Sequence, residues 1–424
     1  MNSLARTRPG WLRGSKLGRL AGVAVDQSFG QVNGKGLKEP ICAPQALLGL
    51  MEADKKPAHR PRIREASFED YPQISSLESR YGLGSKTGEE WKHLWINNPV
   101  YAELQGDWPI GWVLESEDRR IVGYLGNIPL GYQFQGRRLV AAVTYAWVVD
   151  SAYRSYSVLL LDRYFDQKSA DLYLSTTVNP QASKAFGTFN SSPVPVGAWN
   201  QAAFWITDHR GFAASWMATK APSLSRFLSY PLSAALWSTD LLAGRVLSGG
   251  RNQVEVEPCS DFDGRFDTFW EVLKGRNSHL LLGVRSREVL AWHFKHAILK
   301  KTVWILTVAN ASGLVAYSIF CRQDSRSFGL KRMRLVDFQA LDGGRDLLPP
   351  MLSWAVKRCR QEGIHMLEHL GFCPQRDAFE NLRPRQRRLP SWLYFYKARD
   401  QSLAESLASP QAWNPSWFDG DGSL

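Results

Sequence analysis

Cysteine is scarce in this 424-residue chain, and its spacing rules out two common uses. Cys42, Cys259, Cys321, Cys359 and Cys373 are odd in number and widely scattered, and none stands in C-x-x-C spacing. That excludes a disulfide framework and a zinc ribbon, and it points to a reducing, cytoplasmic compartment. No apolar run reaches the roughly 18 residues of a membrane-crossing helix. The basic leader has no acid before Asp26, yet it lacks the continuous apolar stretch of a secretory signal. Apolar residues make up 44% and charged residues 22%, which excludes global disorder.

The net charge of +12 is unevenly distributed. Residues 1–60 hold ten Lys/Arg against four Asp/Glu, so the rest of the chain carries 42 against 36. Half of the basic excess therefore sits in the leader. A mildly basic body suits small anionic ligands such as phosphates and argues against nucleic acid.

Several stretches read clearly. Residues 1–60 read as a disordered basic leader, with the compact protein starting near Met51. Arg62–Ala66 is a short strand, and Ser67 and Asp70 stand in capping spacing ahead of a helix carrying Ile74, Leu77 and Tyr81. A second helix bears Trp91, Leu94 and Trp95 and ends at Asn97-Asn98-Pro99. Strands follow over Trp112–Glu117, Arg120–Phe134 and Leu139–Asp150, then a turn, a helix with Val158, Leu161 and Phe165, a strand over Leu172–Thr176, and a helix starting near Asn179-Pro180.

A repeat of about 190 residues organises the whole. Val122-Gly123-Tyr124 is matched 193 positions later by Val315-Ala316-Tyr317. Each follows a Trp-bearing helix and precedes an apolar strand with an aspartate, Asp150 in one half and Asp337 in the other. Asp337 reads as a buried functional acid or as a partner of Arg332 or Arg334. Between the halves, Gly211–Leu247 is apolar and helical in pattern, interrupted by Pro222 and Pro231, and it suits a packed linker or a membrane-surface helix. The expected segments are 61–208 and 253–399 for two domains, 209–252 for a helical linker, and 400–424 for an aromatic tail docked by its Trp and Phe residues.

The chemistry is expected at the strand–turn–helix from Val143 to Phe165. A helix opening offers unpaired N–H groups and the positive end of its dipole, Arg154 adds a cation, and Ser155 and Ser157 allow close approach. The order of elements resembles the GNAT superfamily of acyl-CoA-dependent N-acyltransferases, whose pyrophosphate motif is Q/R-x-x-G-x-G/A. The matching stretch is Arg154-Ser155-Tyr156-Ser157-Val158-Leu159, with Ser157 and Leu159 at the two glycine positions. The whole chain resembles tandem-GNAT proteins, including relatives of the FemAB peptidyltransferases and acyltransferases of bacterial polysaccharide clusters.

The resemblance implies an α/β fold with a mixed sheet in each of two GNAT-like domains, and a coenzyme A thioester as co-substrate with no metal. It implies that Trp147, Val148 and Val149 align the pantetheine arm while Arg154 to Leu159 hold the diphosphate. Asp150 and Tyr145 are the nearest ionisable choices for an acid–base role, although Asp150 suits a cap of the following turn equally well. Asn179 and Ser183 are candidate polar contacts to the cofactor, and Phe186 and Phe189 occupy the region where many family members carry a tyrosine acid. The acceptor class implied is an amine such as an amino sugar or cell-envelope precursor, acylated from acyl-CoA or an acyl carrier protein. Two other readings stand beside it: FemAB-type aminoacyl transfer, and a non-catalytic scaffold in polysaccharide assembly. His365 and His369 fall on a strand, where their spacing gives no metal-binding face. Arg383, Arg385, Arg387 and Arg388 form a basic cluster, read as solvated charge or as a receptor for an anionic partner such as lipid headgroups at the inner face of a membrane.

Overall fold

Capping and periodicity shape the first half. In the computed structural model, the described residues are 59–424 without Ser85, Gln105, Ala198, 221–224, 246–253, Arg326, Gly343, Arg345, 372–381 and 390–391; the leader and the start near Met51 lie outside them. Strand β1 (Arg62–Glu65) leads to Ser67, whose backbone N–H donates to Asp70 Oδ2 at 2.8 Å, and then to α1 (Tyr71–Arg80) with Ile74 and Leu77 buried. Helix α2 (Gly88–Ile96) opens on a Thr87–Glu90 capping box and buries Trp91, Leu94 and Trp95. A short helix, α3 (Pro99–Glu103), follows because Asn98 caps Val100 N, where the sequence pattern ended the helical region.

The sheet strands then run β2 (Gly111–Glu115), β3 (Ile121–Phe134) and β4 (Arg137–Val149). Next come α4 (Ser157–Asp166), β5 (Leu172–Val178), α5 (Pro180–Thr188) and β6 (Ser192–Pro193). Beyond them lie β7 (Gln201–Ile206) and the two helices α6 (His209–Lys220) and α7 (Ser225–Leu242). Pro231 does not end α7, as its place in the sequence predicts; the helix runs through it, held by packing on its inner face.

The second half repeats the plan with β8 (Glu257–Cys259), α8 (Gly264–Arg276), β9 (Leu282–Gly283), α9 (Arg287–Leu299), β10 (Val303–Asn310), β11 (Gly313–Arg322) and β12 (Arg332–Ala340). It finishes with α10 (Leu348–Gln361), β13 (Met366–Leu370), β14 (Arg385–Arg388), β15 (Leu393–Ala398) and α11 (Gln401–Leu407).

Among the described residues, one sheet has the order β1-β2-β3-β4-β5-β15-β6, with β9 beside β3, and the other β8-β10-β11-β12-β13-β7-β14. Both follow one plan: antiparallel strands throughout except the parallel pairs β4–β5 and β12–β13. Tyr124 and Tyr317, the partners in the sequence repeat, are both fully buried on the third strand of their sheets. The sixth place of each sheet is filled from the other half: β15 pairs with β5, and β7 pairs with β13. The two sheets thus cut across the segment boundaries read from the sequence, because each half lends one strand to the other. A sheet lacking its sixth strand would expose an edge and its unpaired N–H and C=O groups, so the exchange ties the halves together.

Other contacts reinforce that tie. His93 on α2 and Trp292 on α9 form a reciprocal pair: the His93 Nε2 atom lies 2.9 Å from Trp292 O, and Trp292 Nε1 donates to His93 O at 3.0 Å. The tail after α11 docks by its aromatics. Trp417 stacks on Trp392 with centroids 4.7 Å apart, and Phe418 lies 4.5 Å from the His293 ring and 4.7 Å from the Arg285 guanidinium.

Arg285 is the tail's buried anchor. It donates through Nε to Asp337 Oδ2 at 2.9 Å and through Nη2 to Asp419 Oδ2 at 3.2 Å. Asp337 therefore pairs with Arg285, and not with Arg332 or Arg334 as its neighbourhood in the sequence suggests. Burial opposes a charge on Asp337, yet the adjacent guanidinium holds its carboxyl below the ordinary range. Burial pushes Asp419 the other way, upward.

Candidate active site

The β4–β5 pair opens like a fork. Pairing runs Ala141↔Leu172, Ala142↔Tyr173 and Val143↔Leu174, and then stops. Thr144 Oγ1 and Ser175 Oγ, 2.8 Å apart, sit at the crotch. Past this point β4 carries a bulge. Tyr145 pairs with Gly126 and Val148 with Tyr124, so Ala146 and Trp147 together face Leu125 alone, and Ala146 takes φ = 50°. A bulge bends its strand and releases main-chain groups from the ladder, which widens the gap.

The gap is a cavity of about 310 Å³. Its walls are Thr144 and Ala146 to Val149 from β4, Arg154 and Ser157 from the connection to α4, Thr177 and Val178 from β5, and Asn179, Gln181, Ala182, Ala185 and Phe186 from the start and inner face of α5. The last wall residue is Asp421, contributed by the tail. Trp147 meets Phe186 edge-on at 5.8 Å, so one side is apolar and the Arg154 mouth is basic.

The structure brings together six of the sequence-derived candidates here: Trp147, Val148, Val149, Arg154, Ser157 and Asn179. It places the others elsewhere. Asp150 is an N-cap position whose Oδ2 accepts from Arg80 Nη2 at 3.3 Å, and Tyr145 is buried in the core beside Gly126. Ser155 and Val158 are exposed, Tyr156 and Leu159 pack in a hydrophobic cluster, and Ser183 donates to Pro180 O at 2.7 Å within its own helix. Asn179 is itself engaged as a cap, its Oδ1 accepting from Ala182 N at 2.8 Å.

The expectation of free amides opening a helix at Ser157 needs correction. Residues Ser151–Tyr156 already form a 3-10 helix that runs into α4, and Ser157 N–H donates to Arg154 O. Ser151 N–H is also taken, by the Tyr81 hydroxyl at 2.8 Å. The sequence shows a turn followed by a helix, but not that the turn is itself helical. At this corner Arg154 and Ser157 line the cavity, with the Ser157 amide already engaged.

Asp421 had no signal in the sequence as a site residue; Asp419-Gly420-Asp421-Gly422 reads as loop chemistry. Thr176 Oγ1 donates to Asp421 Oδ1 at 2.8 Å. Burial pushes the Asp421 carboxyl up to about 6. The approach depends on Gly420, which has φ = +140°; a Cβ there would lie 2.3 Å from Thr176 Cγ2. In the second half, Gly343 and Arg345 lie outside the described residues, while Gly344 between them takes φ = 61° and donates its N–H to Asp342 O at 2.7 Å. Among the described residues, no three His, Cys, Asp or Glu side chains are grouped to hold a metal ion.

No family model matches the chain, and no curated protein matches it. Among solved structures, Saccharomyces cerevisiae N-myristoyltransferase with bound myristoyl-CoA is similar at 10% identity, covering 86% of this chain and 83% of that one, with a TM-score of 0.51. The chain has the GNAT-like fold of this structure, with two mixed sheets of one plan. A second structure of the yeast enzyme, with myristoyl-CoA and inhibitors, matches the same GNAT fold at 10% identity over 92% of this chain and 88% of its own, with a TM-score of 0.50. A GCN5-related N-acetyltransferase from Anabaena variabilis covers 80% of this chain and 73% of its own at 13% identity, with a TM-score of 0.48. No helix among the described residues is long and apolar enough to cross a membrane.

Proposed function

We propose that this protein is an N-acyltransferase that moves an acyl group from a coenzyme A thioester to an amine. The observation that carries this reading is the fork between β4 and β5, lined by the Arg154 cation and by the half-buried Asp421 carboxylate. A thioester arm is long, narrow and amide-bearing, and it fits a gap lined by main chain that has left its ladder. The yeast neighbours hold myristoyl-CoA on the same fold.

In this reading Arg154 pairs with the diphosphate and Ser157 donates its hydroxyl to it. The main chain of Trp147, Val148 and Val149 aligns the arm and polarises the thioester carbonyl. Ala182, Ala185 and Phe186 supply an apolar wall that keeps water from the thioester. Asp421 is the general base, replacing Asp150 and Tyr145 in that role. The amine nitrogen attacks the carbonyl carbon, the C–N bond forms, the C–S bond breaks, and the amine proton passes to Asp421. The leaving thiolate then takes up that proton by way of solvent. A carboxyl that titrates near 6 is ionised at neutral pH and basic enough to accept a proton, which suits this role. An amino sugar or other cell-envelope precursor is the acceptor class that the family resemblance suggests, and an acyl carrier protein is an alternative donor.

The test is calorimetric titration of coenzyme A into the wild type and Arg154→Ala, alongside thioester turnover with a panel of amines. The substitution is expected to weaken coenzyme A binding by about tenfold or more. Unchanged affinity would remove the donor from this cavity.

A further inference from the structure

Helix α7 has a covered inner face and, among the described residues, an apolar stripe that is left exposed. The inner face carries Ser229, Leu236 and Asp240, all buried, and Leu236 packs in a cluster with Phe204, Phe212 and Met366. The outer face carries Tyr230, Trp237 and Leu241 at helical spacing i, i+7 and i+11, which are 57%, 50% and 53% exposed, and Leu242, at the end of the helix and off this line, is 87% exposed. Scattered apolar side chains on a surface are ordinary, but a stripe along one helix containing a Tyr, a Trp and a Leu is a contact face. Because the helix has a covered face already, burial in the fold does not explain this second one.

The charges around the stripe say what it fits. Asp240 is the single acid between Leu228 and Arg245, and it points inward, where His209 Nε2 lies 2.9 Å away and Arg385 Nη2 2.8 Å away. The outer face therefore presents no carboxylate of its own helix. Cations border it instead. Arg210 stands 4.6 Å over the Tyr230 ring, and the exposed Arg383 donates to Ala243 O at 3.2 Å at the far end of α7. Of the four arginines that form a cluster in the sequence, Arg385 and Arg387 are buried and paired with Asp240 and Glu368, which leaves Arg383 and Arg388 at the surface.

We propose that the outer face of α7 is a docking surface for an anionic lipid bilayer, with Trp237, Leu241 and Leu242 entering the headgroup–acyl boundary and the bordering cations meeting phosphates. An aromatic belt suits that boundary because the ring is apolar with a polar edge, and basic side chains add attraction to negatively charged leaflets. The chain lies on the membrane rather than across it. This inference stands on α7 alone and does not depend on the acyl-transfer chemistry.

The experiment is co-sedimentation of the full chain with phosphatidylcholine vesicles, with and without about a third of phosphatidylglycerol, at low and high salt. The wild type is expected to bind the anionic vesicles, to release at high salt, and to bind neutral vesicles much less. Trp237→Ser with Leu241→Ser is expected to lower the partition coefficient about tenfold or more, since two large apolar groups are withdrawn from the boundary. A second variant, Arg210→Gln with Arg383→Gln, removes the two bordering charges and is expected to weaken the preference for anionic vesicles; it decides the question if the first variant fails to fold by circular dichroism. Binding of either folded variant equal to the wild type would overturn the proposal, as would a wild type that ignores vesicles. A wild-type dimer dissociated by the Trp237 and Leu241 changes, with no vesicle binding, would instead assign this face to a second copy of the chain.

Discussion

Thr176 and Asp421 lie 245 residues apart in the chain and 2.8 Å apart in the fold, joined by a hydrogen bond that holds Asp421 in the cavity wall. The bond turns a terminal loop into part of the β4–β5 site. It also sets the chemistry of the carboxylate: burial raises its affinity for a proton, and the threonine hydroxyl moderates that rise.

Asp421→Asn is expected to lower kcat/KM for amine acylation by about two to four orders of magnitude, while coenzyme A affinity stays near that of the wild type. Steady-state kinetics with calorimetric binding separates the two effects. A similar loss in binding would mark Asp421 as a structural residue.

The pH profile follows from the same group. A base works when deprotonated, so kcat/KM of the wild type should rise with pH through about 6 and then level off. Thr176→Val removes the donor that lowers the carboxyl's proton affinity, so the midpoint should move to higher pH. A profile unchanged by Thr176→Val would disconnect the titration from Asp421.

Gly420→Ala is expected to dislodge the tail. The new methyl would stand 2.3 Å from Thr176 Cγ2, on a backbone with φ = +140°, and neither conflict is relieved without moving the loop. Limited proteolysis should release the last residues faster than in the wild type, and activity should fall with the same substitution.

Arg285→Met should be the most damaging of the tail-anchor changes. It leaves the buried Asp337 and Asp419 without their cation, at a cost of about 3–5 kcal/mol, read as a lower Tm. Asp419→Asn should cost much less, because Arg285 and Asp337 remain as a balanced pair.

Glu78 on α1 is 1% exposed, its Oε1 has no hydrogen-bond partner, and burial raises its carboxyl to about 7. A raised folded-state value means that the folded protein holds this proton more tightly than the unfolded chain does. The stabilisation is therefore complete below the ordinary value of 4.5 and is lost as pH rises through about 7. Glu78→Gln should remove that slope and raise the unfolding free energy at pH above about 7 by on the order of 3 kcal/mol at most, read as a higher Tm. Thermal unfolding of both forms across that range measures it.

Much of the fold was legible from local rules. The Ser67–Asp70 cap, the Trp91–Trp95 stripe and the apolar strands through Val122 and Val315 depend on neighbours in the chain, and the repeat of about 190 residues implied two similar sheets. Local patterning also pointed to Arg154, Ser157 and the β4 edge, because a strand, a turn and a helix in that order place those residues at one corner whatever surrounds them. The strand exchange was not legible: β7 and β15 have the same alternation whether they join their own sheet or the other, since both faces offer the same ladder of N–H and C=O groups.

The sequence by itself determined the elements, their order and the strand–turn–helix corner that carries Arg154 and Ser157, since each follows from side-chain periodicity and capping within a few residues. Only the tertiary structure decided which carboxylate faces that corner. Asp150 is close in sequence but engaged with Arg80, whereas Asp421 arrives from the far end of the chain because the Arg285 pairs, the Trp392–Trp417 stack and the absent side chain of Gly420 carry the tail there.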